Sequence, residues 1–336
     1  MPSPRYTQID IEATPYYHCI SRCVRRAFLC GRDRLTQSDF DHRKDWLVEK
    51  LAELSAIFAI RICAYAVLSN HFHLVVRIDS ERARSWSNAE VVERYGRLFR
   101  HPVESWDRLP PAQAADRVAC WRARLADLSW FMRCLNESIA RRANQEDQCT
   151  GRFWEGRFRS QALLDEAGLL TCMSYVDLNP IRAGMATTLE ESDFTSIQQR
   201  LFDLGRDPAV QERAADNAPC EGTRLHPELV PFAPAGTMSD ADELPVDLDS
   251  YVDLLRATGA AVRSANPEAT LPASAMQTLE RLGVRGEHWL ETIRSYRKRF
   301  FSMIGCVHRI ALHCARTDRD QAKGTRWAAR VFRNCA

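Results

Sequence analysis

The chain contains twelve cysteines in 336 residues but no Cys-x-x-Cys pair. Their spacing follows neither a zinc-ribbon nor a disulfide-framework pattern. Cys19, Cys23 and Cys30 form the densest cluster, where a metal role stays open. The expectation is reduced thiols acting as small buried hydrophobes. Also lacking is any apolar run long enough to span a membrane, and Met1 to Asp10 have no apolar stretch of the signal-peptide type. Cytoplasm is the default compartment. There is no long-period repeat and no low-complexity tract.

What is present describes a globular chain with a sizeable core: 45% hydrophobic and 27% charged residues, enough for one large domain or two ordinary ones. The net charge of +2 is unevenly spread. Arg294 to Arg333 contain 11 Lys/Arg against two Asp, whereas residues 236 to 255 carry Asp240, Asp242, Glu243, Asp247, Asp249 and Asp253 and no base. That asymmetry points to a polyanion-binding C-terminal segment more than to a basic protein.

Periodicity predicts a strand at Tyr16–Arg22, an amphipathic helix at Asp41–Phe58, a second strand at Arg61–Leu68 and a third across His71-Phe72-His73. Ser69-Asn70 supplies the turn chemistry of a tight hairpin. Residues 79 to 125 are polar and proline-bearing, with some helical pattern near Trp121, and read mostly as an insertion. A helix at Ser129–Gln145, a strand at Arg157–Leu164 and a helix at Asp165–Leu178 follow. The order β-α-β-β-α-β is the ferredoxin-like arrangement of an α+β protein, an antiparallel sheet packed by helices on one face and available on the other. The expected organisation is a domain over 1–200, a proline-rich linker over 201–247 and a basic helical C-terminal domain over 248–336.

On the third strand, residues two apart share a face. Phe72, Leu74, Val76 and Ile78 form an apolar face, and His71 and His73 stand together on the other. Two imidazoles on a rigid strand make two thirds of a small divalent-metal site, although paired histidines also occur as simple hydrogen-bonding partners. Tyr175 lies beside a buried stripe of Leu169, Cys172, Met173 and Val176, one helical turn before Asn179. A tyrosine so placed usually packs with its hydroxyl at the surface. Near a metal-binding pair it could instead attack a phosphodiester, with the ion stabilising the developing charge.

The segments Tyr17-His18-Cys19-Ile20-Ser21-Arg22, Tyr65 to Val76, Gly151-Arg152-Phe153-Trp154-Glu155-Gly156-Arg157-Phe158 and Tyr175 to Gly184 occur in that order. Together they resemble the HUH superfamily of single-strand DNA nucleases, most closely the REP-associated tyrosine transposases, over roughly residues 14 to 190. The resemblance implies a metal-dependent endonuclease and strand-transferase acting on hairpin-forming repeat DNA through a 5′-phosphotyrosine. Tyr175 would be the nucleophile, and His71 and His73 ligands to Mg²⁺ or Mn²⁺. The third ligand would be Asn179, although Asn179 precedes Pro180 and could instead cap a short helix. Asp177 is a fallback ligand, and His18 could approach the metal or be partnered locally. The resemblance also implies DNA as partner, a nucleoid-associated place in the cytoplasm and no membrane, and leaves a homodimer open.

In Gly151 to Arg159, Arg152, Arg157 and Arg159 alternate with Phe153, Trp154 and Phe158. Aromatics can stack on unpaired bases while arginines hold phosphates, or the aromatics can complete the core. Arg22, Arg25, Arg26 and Arg141-Arg142 would extend the basic rim. The competing readings are a non-catalytic nucleic-acid-binding protein that uses the sheet as a platform and a metal-dependent hydrolase of small phosphoesters. The second leaves Tyr175 without a role.

Overall fold

Strand alternation and helix amphipathicity generate the expected core in the computed structural model, which describes residues 8–24, 29–31, 39–99, 106–203, 225–237, 240, 242–264, 269–319 and 322–333. β1 (Tyr16–Arg22), α1 (Arg43–Ile57), β2 (Ile60–Val67) and β3 (His71–Ile78) fall close to their predicted places. Past the next segment come α5 (Leu128–Glu146), β4 (Arg159–Leu163) and α6 (Glu166–Asp177). The sheet order is β2-β3-β1-β4 followed by a short fifth strand at Met303–Ile304, and the first four strands are antiparallel to their neighbours. This is the ferredoxin-like topology. α1 and α5 pack on each other over one face.

The other face is not open. α6 crosses β2, β3 and β4 there, and every residue from Ala167 to Asp177 is buried. A helix enclosed all round needs cover on its outer side, and the C-terminal region supplies it. That region comprises α9 (Leu248–Arg263), α10 (Ala273–Arg281), α11 (Trp289–Arg299), β5 (Met303–Ile304), α12 (Val307–Arg316) and α13 (Thr325–Val331). β5 adds to β4 in parallel, with Leu164 N donating to Ile304 O at 2.9 Å. Asp165 caps α6 through Gly168 N and also accepts from Cys306 N. Gly168 is required at this crossing, because a Cβ there would meet Ile304 O at 2.8 Å.

Residues 79 to 125, between β3 and α5, are largely helical: α2 (Ser80–Ser85), α3 (Asn88–Leu98) and α4 (Pro111–Leu125). Their larger apolar residues Val91, Tyr95, Val118, Trp121 and Leu125 are buried. Ser87 and Glu90 make a capping box that starts α3. Residues 204–224 of the expected linker lie outside the described residues, as do Arg25 and Arg26. The part that follows is docked: Val230 N donates to Ile62 O at 2.8 Å, beside α8 (Ser196–Asp203). Seven of the described cysteines are buried. Among the described residues, no helix is long and apolar enough to cross a membrane.

Candidate active site

β3 places His71 and His73 on one sheet face with ring centroids 4.9 Å apart, and α6 brings Tyr175 over them, 5.5 Å from the His73 ring. His73 is fully buried, and Tyr175 is 2% exposed. Its ring is sandwiched, stacked at 4.2 Å and 14° on Tyr296 of α11, with the Arg182 guanidinium 4.6 Å from its centroid. Arg182 belongs to α7 (Asn179–Arg182), the short turn that continues α6.

The tautomers of both histidines can be read from their partners. Asn70 Oδ1 lies 2.5 Å from His71 Nδ1, and an amide oxygen only accepts, so His71 carries its proton on Nδ1 and leaves Nε2 bare. His73 Nδ1 meets His18 Nε2 at 2.9 Å, and His73 Nε2 is buried with no partner. Unpaired buried nitrogen of this kind is rare in native interiors and marks a place for a ligand. The Asn179 side-chain nitrogen, one turn after Tyr175, is likewise buried and unpartnered. Asn179 does not cap α7, because the cap position falls to Leu178. Two imidazole nitrogens and one amide oxygen fit a divalent ion such as Mn²⁺ and leave coordination positions open. Among the described residues, no group of three or more His, Cys, Asp or Glu could hold a metal ion.

Asp177 cannot serve as the fallback. Ser196 Oγ and Ile197 N donate to its Oδ1 at 2.5 and 3.2 Å, and Tyr251 Oη to its Oδ2 at 2.7 Å. These bonds hold the carboxylate on the side of α6 away from Tyr175, and burial pushes its pKa up to about 6. His18 is a partner of His73 rather than a residue directed at open space. Phe153 and Trp154 are 2% and 8% exposed, and Trp154 Nε1 donates to Asn136 O at 2.8 Å. Their faces are therefore core, not stacking platforms for bases; Phe158 is buried as well. Arg152, Arg157 and Arg159 are exposed, and Arg22 ends β1 directly opposite His71.

The cations Arg22, Arg182 and Arg297 act on this cluster, and Arg182, Arg297 and Tyr296 were not found by sequence reading because nothing local marks them. Burial first, and then Arg22 and Arg297, pushes His71 down to about 4. Burial likewise pushes His18 down to about 4 and holds His73 well below the usual histidine value. Burial raises the Tyr175 phenol, and Arg182 and Arg297 oppose that rise. A site of neutral imidazoles rimmed by arginines is built to receive an anion.

A stability profile follows. A histidine with a depressed folded-state pKa stabilises above its unfolded value and loses that contribution as pH falls through the folded one. His18 and His71 therefore lose theirs between 6.5 and about 4, and His73 adds to the loss. Asp177 works in the opposite sense, gaining between about 6 and 3.8. Three groups outweigh one, so urea midpoints in metal-free buffer should fall steadily from pH 7 to pH 4.5. A flat or rising midpoint contradicts the neutral-histidine cluster.

No protein-family model matches this chain, and no curated protein does. One solved structure resembles it, described as a REP-associated tyrosine transposase bound to a REP hairpin. The two are 12% identical with a TM-score of 0.35, over 64% of this chain and 93% of that one.

Proposed function

We propose that this protein is a metal-dependent single-strand DNA endonuclease and strand-transferase that works through a tyrosine–DNA intermediate. The observation that carries the reading is the meeting of a buried, unpartnered His73 Nε2 and the half-buried His71 ring with the Tyr175 ring, beside the Arg182 guanidinium. His71, His73 and Asn179 would hold Mg²⁺ or Mn²⁺. When bound, the ion supplies Lewis-acid polarisation of a phosphodiester.

The chain's own residues do the rest. Arg182 and Arg297 favour the phenolate of Tyr175 against the burial that opposes it. Tyr175 Oη forms the new bond to phosphorus as the bond to the 3′ oxygen breaks, and that oxygen leaves as a 3′-OH. The 5′ phosphate stays on the tyrosine, so a second 3′-OH can reverse the step and join new ends. Tyr296 and Arg182 clamp the ring from both sides and fix the direction of attack.

DNA as the substrate is supported by the distribution of charge. Arg152, Arg157 and Arg159 face solvent and Arg22 is half-buried. On the C-terminal region, Lys298, Arg299, Arg326 and Arg330 line a groove around Trp327, with Phe301 exposed beside it. Cations interleaved with an accessible ring suit a phosphate track with unpaired bases. A phosphoester hydrolase that activates water would have no use for a clamped tyrosine.

The experiment uses end-labelled single-stranded hairpin DNA from repeats around the source gene, incubated with and without Mn²⁺. Wild-type protein should cleave only with metal, and His71→Ala should lose about a hundredfold or more in rate. His71 is only partly buried, so the variant keeps its fold. Tight binding without cleavage on several such substrates contradicts the nuclease reading and favours a nucleic-acid platform.

A further inference from the structure

Behind His73 a chain of hydrogen bonds runs through His18 and Gln161, to which neither the proposed metal nor the nucleophile assigns a role, and ends on the Tyr296 hydroxyl. Gln161 of β4 faces His18 of β1 directly in the sheet register and is buried. Its Oε1 lies 3.2 Å from His18 Nδ1 and accepts from Tyr296 Oη at 2.6 Å. Tyr296's single proton therefore goes to Gln161.

The direction of every bond then follows. An amide oxygen can only accept, so His18 must donate from Nδ1. His18 is buried and its two ring nitrogens meet Gln161 and His73, neither of them a carboxylate that would pair an imidazolium, so its Nε2 is a lone pair. His73 Nδ1, 2.9 Å away, must therefore be the donor in that contact. The proton of His73 is thus pinned on Nδ1, and its Nε2 becomes the bare nitrogen found buried without a partner.

We propose that Gln161 and His18 are positioning residues that lock His73 in the tautomer a metal needs, and that Tyr296 of the C-terminal region holds the start of this relay. The inference deepens the metal-dependent reading above and rests on it. It also assigns the C-terminal helices a part in the catalytic centre: Tyr296 stacks on the nucleophile with its ring and orients the ligand relay with its hydroxyl. Removing a partner of this kind behind a metal-bound histidine costs roughly 10- to 100-fold in metal affinity.

The test is done on the full, metal-free chain labelled with ¹⁵N, using long-range ¹H–¹⁵N spectra at pH 7.5, with His73 identified by its loss in His73→Gln. Wild type should show His73 protonated at Nδ1 and bare at Nε2. Gln161→Leu should give a tautomer mixture and weaken Mn²⁺ binding about 10- to 100-fold in a titration followed by electron paramagnetic resonance. Gln161→Glu keeps an oxygen acceptor and should restore affinity to within a few-fold. Should Gln161→Leu fail to fold, Tyr296→Phe keeps the stacked ring, removes only the proton sent to Gln161, and should shift the His73 tautomer population in the same direction. A His73 protonated at Nε2 in wild type, or a folded Gln161→Leu or Tyr296→Phe chain with unchanged His73 signals, overturns the relay. Unchanged Mn²⁺ affinity in folded Gln161→Leu overturns it too, while leaving the metal reading intact. A wild-type chain with the expected tautomer that takes up no Mn²⁺ overturns the metal reading instead, and with it the purpose of the relay.

Discussion

Tyr175→Phe is expected to reduce cleavage of hairpin single-stranded DNA by roughly ten-thousandfold or more, the scale of losing a covalent nucleophile. DNA binding and Mn²⁺ affinity should stay within a few-fold of wild type. The substitution removes only the phenol oxygen, and with it a hydrogen bond from Arg182. Phenylalanine keeps the stack on Tyr296 at 4.2 Å and the contact with the Arg182 guanidinium at 4.6 Å. No folding defect should confuse the result. Metal-dependent cleavage that survives the substitution would transfer the chemistry to water and to a hydrolase.

The largest expected loss of stability comes from a residue beside the nucleophile in sequence but opposite it in space. Asp177→Ala should cost about 3–5 kcal/mol, the usual scale for breaking a buried charge network by removing one partner. Ser196 Oγ, Ile197 N and Tyr251 Oη would all lose their acceptor inside the core. Buried Arg200, whose guanidinium donates to Cys63 O and Val230 O, would lose the carboxylate that offsets its charge. Such a loss is a large part of the stability of an ordinary domain. Asp177→Asn keeps one acceptor and should lose less. Urea unfolding followed by circular dichroism measures the difference, and a loss under about 1 kcal/mol contradicts the network.

The same pair of neighbours shows what could be read from sequence alone. Tyr175 and the His71/His73 pair were legible because period two on a strand and period 3.6 on a helix fix which residues share a face. The sheet hairpin and β1 were legible for the same reason. The enclosure of α6 was less visible, although a segment with no charge between Glu166 and Asp177 carries that signal: a helix apolar all round is a covered helix. Reading only its Leu169–Val176 stripe left the second sheet face open.

The relay was beyond local pattern. His18, Gln161 and Tyr296 come from β1, β4 and α11, and each taken alone is an ordinary polar residue. Phe153 and Trp154 failed in the opposite way. Aromatics among arginines satisfy a nucleic-acid pattern and a core pattern equally, and only their contacts with Phe72 and Asn136 separate the two. In residues 79 to 125 the capping box at Ser87 and Glu90 and the paired prolines ahead of α4 were helix-start signals hidden by a polar composition.

The most direct measurement is mass spectrometry of the protein after reaction with hairpin single-stranded DNA and Mn²⁺, followed by nuclease trimming and proteolysis. The expected result is a nucleotide joined through its 5′ phosphate to the peptide containing Tyr175, absent without metal and absent in Tyr175→Phe. Cleaved DNA with free ends and no modified Tyr175 peptide contradicts a tyrosine-linked intermediate.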